Sequence, residues 1–271
     1  MSNTRFTTRR GVLKGIGAAG VVSTTGMIGS AAATGGRNKR FVLKPDFDGL
    51  QGGAVGTRNE SYSLAGSWKT GVDTNGDGND DKFALYLTPD DLFQNAGDVT
   101  VDDLTHVSYH TKKETETSGT NPYNVYLQIY TEQDGTNDGS WYGHRITAEP
   151  YFAQDLDAPG GEWIKWSTSD ADNQLTFFDD AYVGYGFYGG GQPTLQELQA
   201  GSIDWSTRKS GAPSTNIDYG QETIRYITLQ TGSGYPDSFA AFLDTVEIGV
   251  STSAGKGKKG KGQTARIDLE A

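Results

Sequence analysis

The chain has 271 residues, 38 of them glycine and none cysteine, with 34 Asp and Glu against 23 Lys and Arg and a formal net charge of −11. Without cysteine there is no disulfide framework, thiol nucleophile, zinc-thiolate site or lipid-modified cysteine anchor. The acid surplus excludes nucleic acid as a partner, because a phosphate backbone is bound through clustered cations.

Residues 1–33 come first in chain order. Thr8-Arg9-Arg10-Gly11-Val12-Leu13-Lys14 precedes a mild, glycine-rich apolar stretch, Ile16 to Ile28, and then the small residues Ala31, Ala32 and Ala33. A charged region, a weakly apolar region and cleavable small residues in that order form a removable address, not a piece of a fold. The consecutive arginines followed by Val12, Leu13 and Lys14 resemble twin-arginine signal peptides. The resemblance implies a protein exported already folded, to the cell surface or the extracellular space. Setting aside the four basic residues of this segment leaves 19 Lys and Arg against 34 Asp and Glu over residues 34–271, a net charge of −15. That balance resembles secreted proteins of halophilic archaea, whose carboxylates keep the surface hydrated in concentrated salt; an acidic binding surface is the other reading. No later stretch reaches the ~20 apolar residues that span a bilayer, so stable membrane insertion after cleavage is not expected.

Residues 34–44 read as a short basic linker. From 45 to 250 the pattern is period-two alternation rich in Val, Ile, Tyr, Phe and Thr, broken by glycine and Asx turns. Strands are expected near Tyr62 to Lys69, Lys82 to Leu87, Leu104 to Lys112, Tyr123 to Thr131, Trp163 to Ser167, Tyr182 to Tyr188, Thr223 to Leu229 and Phe239 to Val250. Thr88 to Asp91 and Thr194 to Glu197 have the makings of short helical turns, the second with capping-box spacing. The fold class expected is all-β, a jelly-roll-type antiparallel β-sandwich with short helical turns. Residues 251–271, containing Gly255 to Gly262 with four lysines, read as a Gly/Lys-rich disordered tail, either a solvated extension or a cationic tether.

The acidic turn before Phe83 to Thr88, the Leu104 to Tyr109 strand, Asn124 to Tyr130, Arg145 to Pro150 and the closing Phe242 to Gly249 resemble secreted jelly-roll domains related to carbohydrate-binding modules. The resemblance implies a fold more directly than a function.

Four groups of residues bear on chemistry. Asp73, Asn75, Asp77, Asn79 and Asp81 place oxygen ligands at alternating positions with Gly78 at the sharp turn, and resemble the calcium loops of dockerins and EF-hands, although Ala84 stands where those loops carry their bidentate acid. A structural Ca²⁺ is the cofactor this pattern allows; an ordinary Asx-rich hairpin loop is the alternative. Glu132 and Asp134 nearly spell a β-sandwich glucanase motif, but Asn137 occupies the second acid's place and an amide cannot protonate a leaving oxygen. His106 and His110 share a strand face about 13 Å apart, too far to share one ion. Finally, Tyr126, Gln128 and Tyr130 fall on one strand face, with Tyr182 and Tyr188 flanking glycines further on and Trp141 between. Phenol rings with an amide form the mixture that sugars meet with their apolar ring faces and hydroxyls; packing of the same tyrosines beneath a loop is the alternative. Trp68, Trp163, Trp166 and Trp205 are expected in the core or at its rim.

The expectation is an exported, non-catalytic carbohydrate-binding or cell-surface protein, its partner an extracellular polysaccharide or cell-surface glycan. The alternatives are a polysaccharide-degrading hydrolase or lyase using Glu132 and Asp134 or Arg145 and Glu149, and a structural component of the envelope.

Overall fold

Alternation puts the apolar side chains of each strand on one face, and such faces are stable when two of them meet. The computed structural model, which describes residues 37–63, 66–71, 82–93, 97–114, 123–132, 141–150, 160–183, 190–232, 235, 239–251 and 262–271, is a sandwich of two such sheets. Its strands are β1 (Arg37–Leu43), β2 (Leu50–Gly52), β3 (Ala54–Thr57), β4 (Ser67–Thr70), β5 (Phe83–Leu87), β6 (Leu104–Lys113), β7 (Tyr126–Thr131), β8 (Arg145–Ala148), β9 (Ile164–Ser167), β10 (Phe178–Asp179), β11 (Ile224–Gln230), β12 (Ala241–Val250) and β13 (Gln263–Leu269).

One sheet runs β10-β8-β7-β11-β5-β2 and is antiparallel throughout. The other is organised around β12. Along one edge β12 pairs with β6, which pairs in turn with β9. Along the opposite edge its first part pairs with β4 and its second part with β13, and these carry β3 and β1 outward. The β1 and β13 strands run parallel.

The edge of β12 changes partner at Asp244 and Thr245, where the β6 ladder also shifts register. Thr245 has φ +41°, and a β-branched residue in the left-handed region costs about 1–2 kcal/mol. A closed set of hydrogen bonds holds it there. The fully buried Asp244 carboxylate accepts from the backbone N–H of Tyr62 at 3.0 Å, of Ser63 at 2.9 Å and of Thr245 at 2.6 Å, and the Ser63 and Thr245 hydroxyls lie 2.6 Å apart.

Leu127, Ile129 and Leu229 from one sheet and Val107, Ile248 and Ile267 from the other belong to one buried apolar core. Trp68, Trp166 and Trp205 are fully buried in it, and each indole N–H has an acceptor: the Glu270 carbonyl at 3.1 Å, Thr111 Oγ1 at 2.7 Å and the Tyr219 hydroxyl at 2.9 Å. That pairing is what lets a large ring with one polar atom sit in an apolar interior. The helices are short: Pro89–Leu92, Leu195–Gln199 and Trp205–Arg208. Thr194 and Glu197 form the capping box anticipated from their spacing, and Asp204 caps the third helix through Ser206 N–H.

Two expectations at the chain ends are corrected. The linker of residues 34–44 contains β1, and the tail of residues 251–271 contains β13. Ala265, Ile267 and Leu269 alternate and are buried against the core, so β13 is an ordinary half-apolar strand placed after a polar run. The Tyr62 to Lys69 strand is shorter than expected, beginning at Ser67, with Tyr62 in the preceding loop. Tyr182 and Val183 lie in a turn following β10, and residues 184–189 lie outside the described residues. The export segment 1–33, the calcium-loop residues Asp73, Asn75, Asp77, Asn79 and Asp81, the loop residues Asp134 and Asn137, the aromatic Tyr188 and most of the Gly/Lys run also lie outside them. Among the described residues no helix is long and apolar enough to cross a membrane.

Candidate functional site

Residues paired directly across antiparallel strands point to the same side, so the outward face of the β10-β8-β7-β11-β5-β2 sheet is laid out in rows. Gln51, Ala84, Gln230 and Tyr126 make one row; Tyr86, Thr228, Gln128 and Thr147 make the next; Tyr226, Tyr130 and Arg145 make the third. Gln128 is the hub. Its Nε2 donates to Thr147 Oγ1 at 2.7 Å, while its Oε1 accepts from the Tyr130 hydroxyl at 2.6 Å and from Gln230 Nε2. Gln230 Nε2 also lies 3.3 Å from Thr228 Oγ1. Each of these side chains is held by the others, which fixes their positions before anything binds.

These rows floor a recess of about 310 Å³ lined by Gln51, Gly52, Lys82, Phe83, Ala84, Tyr126, Gln128, Tyr130, Arg145, Gln230 and Thr231. Gly52 is required at its edge. It has φ +80°, and a β-carbon there would collide with the Lys82 carbonyl, so any other residue would push β2 off β5.

The structure corrects the expected open platform of rings. Tyr126 and Tyr130 retain only 6% and 4% exposure, because other rings already use their faces. Tyr126 meets Tyr235 edge-on at 6.2 Å. Tyr130 is stacked against Trp141 at 4.8 Å and Tyr86 at 6.4 Å, and burial pushes its phenol up from the ordinary range. The recess therefore offers mainly polar groups and ring edges. Trp141 is not in its lining but covers Tyr130 from outside at 39% exposure. Arg225 steadies it, donating to the Trp141 carbonyl with its guanidinium 5.6 Å from the ring. Tyr182 stands apart from the recess: half-buried, it packs against the core with its ring 6.1 Å from that of His144.

A second recess of about 150 Å³ lies alongside, lined by Tyr142, Gly143, Arg145, Asp179, Asp180 and Ala181. Arg145 belongs to both, and its guanidinium is ion-paired with Asp180. Behind them Asp179, fully buried, accepts from the Tyr219 hydroxyl and from Ala181 N–H, each at 2.9 Å. His144 Nδ1 lies 2.6 Å from Glu222 Oε1. Burial pushes the carboxyls of Asp179 and Asp180 upward, and the Arg145 charge draws Asp180 back down.

Glu149 continues the parity of Arg145 and Thr147 one step beyond β8. Burial is the main cause that lifts its carboxyl to about 7, with Asp180 adding to the rise and the Tyr235 hydroxyl opposing it. Tyr235 Oη lies 2.6 Å from the Asn124 carbonyl and 3.1 Å from Glu149 Oε1. A phenol has one proton, so when the Asn124 carbonyl takes it, a neutral Glu149 is the form that can complete the second bond.

No family model matches this chain, and no curated protein or solved structure was found to be similar to it.

The site thus rests on its own geometry. Of the residues anticipated from sequence, Tyr126, Gln128 and Tyr130 line the recess and Trp141 abuts it. Gln51, Lys82, Gln230 and Thr231 were missed, because they arrive from β2, from the residue before β5 and from the end of β11 and the residue after it, and strand order is not written in any local motif. One signal was present: Tyr226, Thr228 and Gln230 alternate with Ile227 and Leu229, marking β11 as a strand with a polar, functional-looking face. Among the described residues no three His, Asp or Glu side chains are grouped so as to hold a metal. His106 and His110 are pushed down by burial and lie in the other sheet, on β6. The described lining of the larger recess contains no paired nucleophile and base. Its amides, phenols and hydroxyl suit hydrogen bonding to a polyhydroxylated molecule.

Proposed function

We propose that this chain is an exported, non-catalytic protein that binds a saccharide unit of an extracellular polysaccharide or cell-surface glycan in the recess over β7, β11 and β5. The observation that carries this reading is the Gln128 network, which fixes amide and phenol groups around a recess of about 310 Å³, near the lower end of ligand-pocket sizes. Hydroxyls of a sugar ring both donate and accept, and side-chain amides match them on both counts. Export follows, in this reading, from the arginine-led segment at residues 8–14, and a structural calcium held by Asp73, Asn75, Asp77, Asn79 and Asp81 belongs to the same reading.

The test is calorimetry of the full chain against a broad panel of soluble polysaccharides and oligosaccharides. Binding is expected, with Gln230→Ala weakening it about tenfold through loss of one anchored amide. Silence across the panel would overturn the reading. The rival, a polysaccharide-degrading enzyme, draws on Glu149, since a carboxyl lifted to about 7 is what a general acid needs at neutral pH. Release of reducing ends or of unsaturated, ultraviolet-absorbing product would favour that enzyme over a binder.

A further inference from the structure

We propose that the saccharide bound in this recess is acidic, a uronic acid whose carboxylate is met by Lys82 and Arg145; the inference rests on the saccharide reading above and names the class of sugar. The charge pattern carries it. The described lining contains two cations and no carboxylate, in a chain where acids outnumber bases 34 to 23. A recess shaped only by the average composition of this protein would be acidic.

Four cations on the sheets are each matched by a carboxylate, and Lys82 is not among them. Lys112 is matched by Glu60 at 2.6 Å, Lys69 by Glu114 at 2.5 Å, Lys165 by Asp170 at 2.6 Å and Arg40 by Asp268 at 2.5 Å. The half-buried Lys82 ammonium donates to the Tyr235 carbonyl at 2.8 Å, and among the described residues no carboxylate pairs with it. One of its three protons is thus anchored and the group is aimed, with no carboxylate among the described residues to neutralise it. A partly buried cation lacking a counter-charge is costly, and an anion entering the recess repays that cost more strongly than it would in water.

Arg145 supplies the second half of the argument. It forms the wall common to both recesses, and the carboxylates of Asp179 and Asp180 line the smaller one. Asp179 and Asp180 are therefore on the side of the smaller recess, where Asp180 holds the guanidinium in place, while Glu149 is buried against Tyr235 and is in the described lining of neither recess. The larger recess is left with cations and neutral amides, the combination that suits a sugar bearing hydroxyls and one carboxylate. Salt screens the repulsion between such a polymer and the acidic outer surface more than it screens a half-buried pair, so recognition is local.

The test uses the full chain and calorimetric titration with a galacturonic acid oligomer and with the methyl ester of the same oligomer, which keeps the hydroxyls and removes the charge. The acid is expected to bind about tenfold more tightly than the ester. Lys82→Met, which keeps most of the stem, is expected to lower affinity for the acid by about tenfold, with Lys82→Arg restoring most of it. Circular dichroism and the Tm of each variant establish that it folds; should Lys82→Met fail to fold, the comparison of acid with ester on the unaltered protein decides. Equal affinity for acid and ester overturns the charge assignment while leaving saccharide binding intact, and so does a full acid preference in Lys82→Met. Failure of both oligomers together with silence across the wider panel overturns the saccharide reading and this inference with it.

Discussion

The two sheets bury polar groups in opposite ways. In the β12 sheet two buried carboxylates are closed in by donors: Asp244 is surrounded by backbone N–H donors of Tyr62, Ser63 and Thr245, and Asp268 is flanked by Arg40 and Arg266. Across the sandwich, the Gln128 network ends at a recess whose edge carries the Lys82 ammonium, paired with no carboxylate among the described residues. A closed network can only support the fold. An open one has hydrogen-bonding capacity left over, and that is what a ligand can use.

The sharpest way to break this comparison is at Asp244. Asp244→Ala leaves the donors of Tyr62, Ser63 and Thr245 without their acceptor and removes the support of a strained turn, so a loss of about 3 kcal/mol is expected in chemical denaturation. Saccharide affinity, measured on the fraction still folded, should not change, because this sheet is outside the proposed site. If affinity falls with stability, the separation of the two regions is wrong.

A smaller effect concerns Glu149. Its carboxyl is lifted from an ordinary 4.5 to about 7 in the folded chain, so the unfolded chain loses this proton first as pH rises. The contribution is fully present below pH 4.5 and disappears as pH climbs through about 7, a decline of up to about 3 kcal/mol. Glu149→Gln should flatten that part of the stability profile. A wild-type profile that is already flat over the window, or a variant that keeps the slope, would place the titration elsewhere.

The smallest effect is expected at Tyr130. Tyr130→Phe keeps the ring between Trp141 and Tyr86 and removes only the hydroxyl that donates to Gln128. A cost of about 1 kcal/mol in stability is expected, with a several-fold loss of saccharide affinity from the loosened amide. An effect on stability alone would make the Gln128 hub a structural device like that around Asp244.

How much of this was legible depends on whether the signal was local. The period-two runs of β5, β6, β7, β9, β11 and β12 carried their own evidence, as did the Thr194 capping box. For β1 and β13 the main partner of each is the other, 226 residues away, and Arg37 to Arg40 hold no apolar residue at all. A bulge in β12 was written in the sequence and passed over. Its residues in the apolar core are Ala241 and Leu243, then Val246, Ile248 and Val250, a change from odd to even positions that a regular strand cannot make without an extra residue. In the site, Tyr126, Gln128 and Tyr130 were readable because they share one strand. Their burial was not, because the covering rings of Trp141, Tyr86 and Tyr235 come from elsewhere in the chain.

The parallel pairing of β1 with β13 also has a consequence for how the protein is made. Among the described residues β1 has no sheet neighbour other than β13, which ends at Leu269, and Trp68 waits on Glu270 for its acceptor. Until those residues leave the ribosome, half of one edge of β12 stays bare and β1 lacks its partner. Closure of the sandwich is thus a late event that joins the two extremities of the domain, and a chain cut short before Gln263 would present an unfinished sheet to its surroundings.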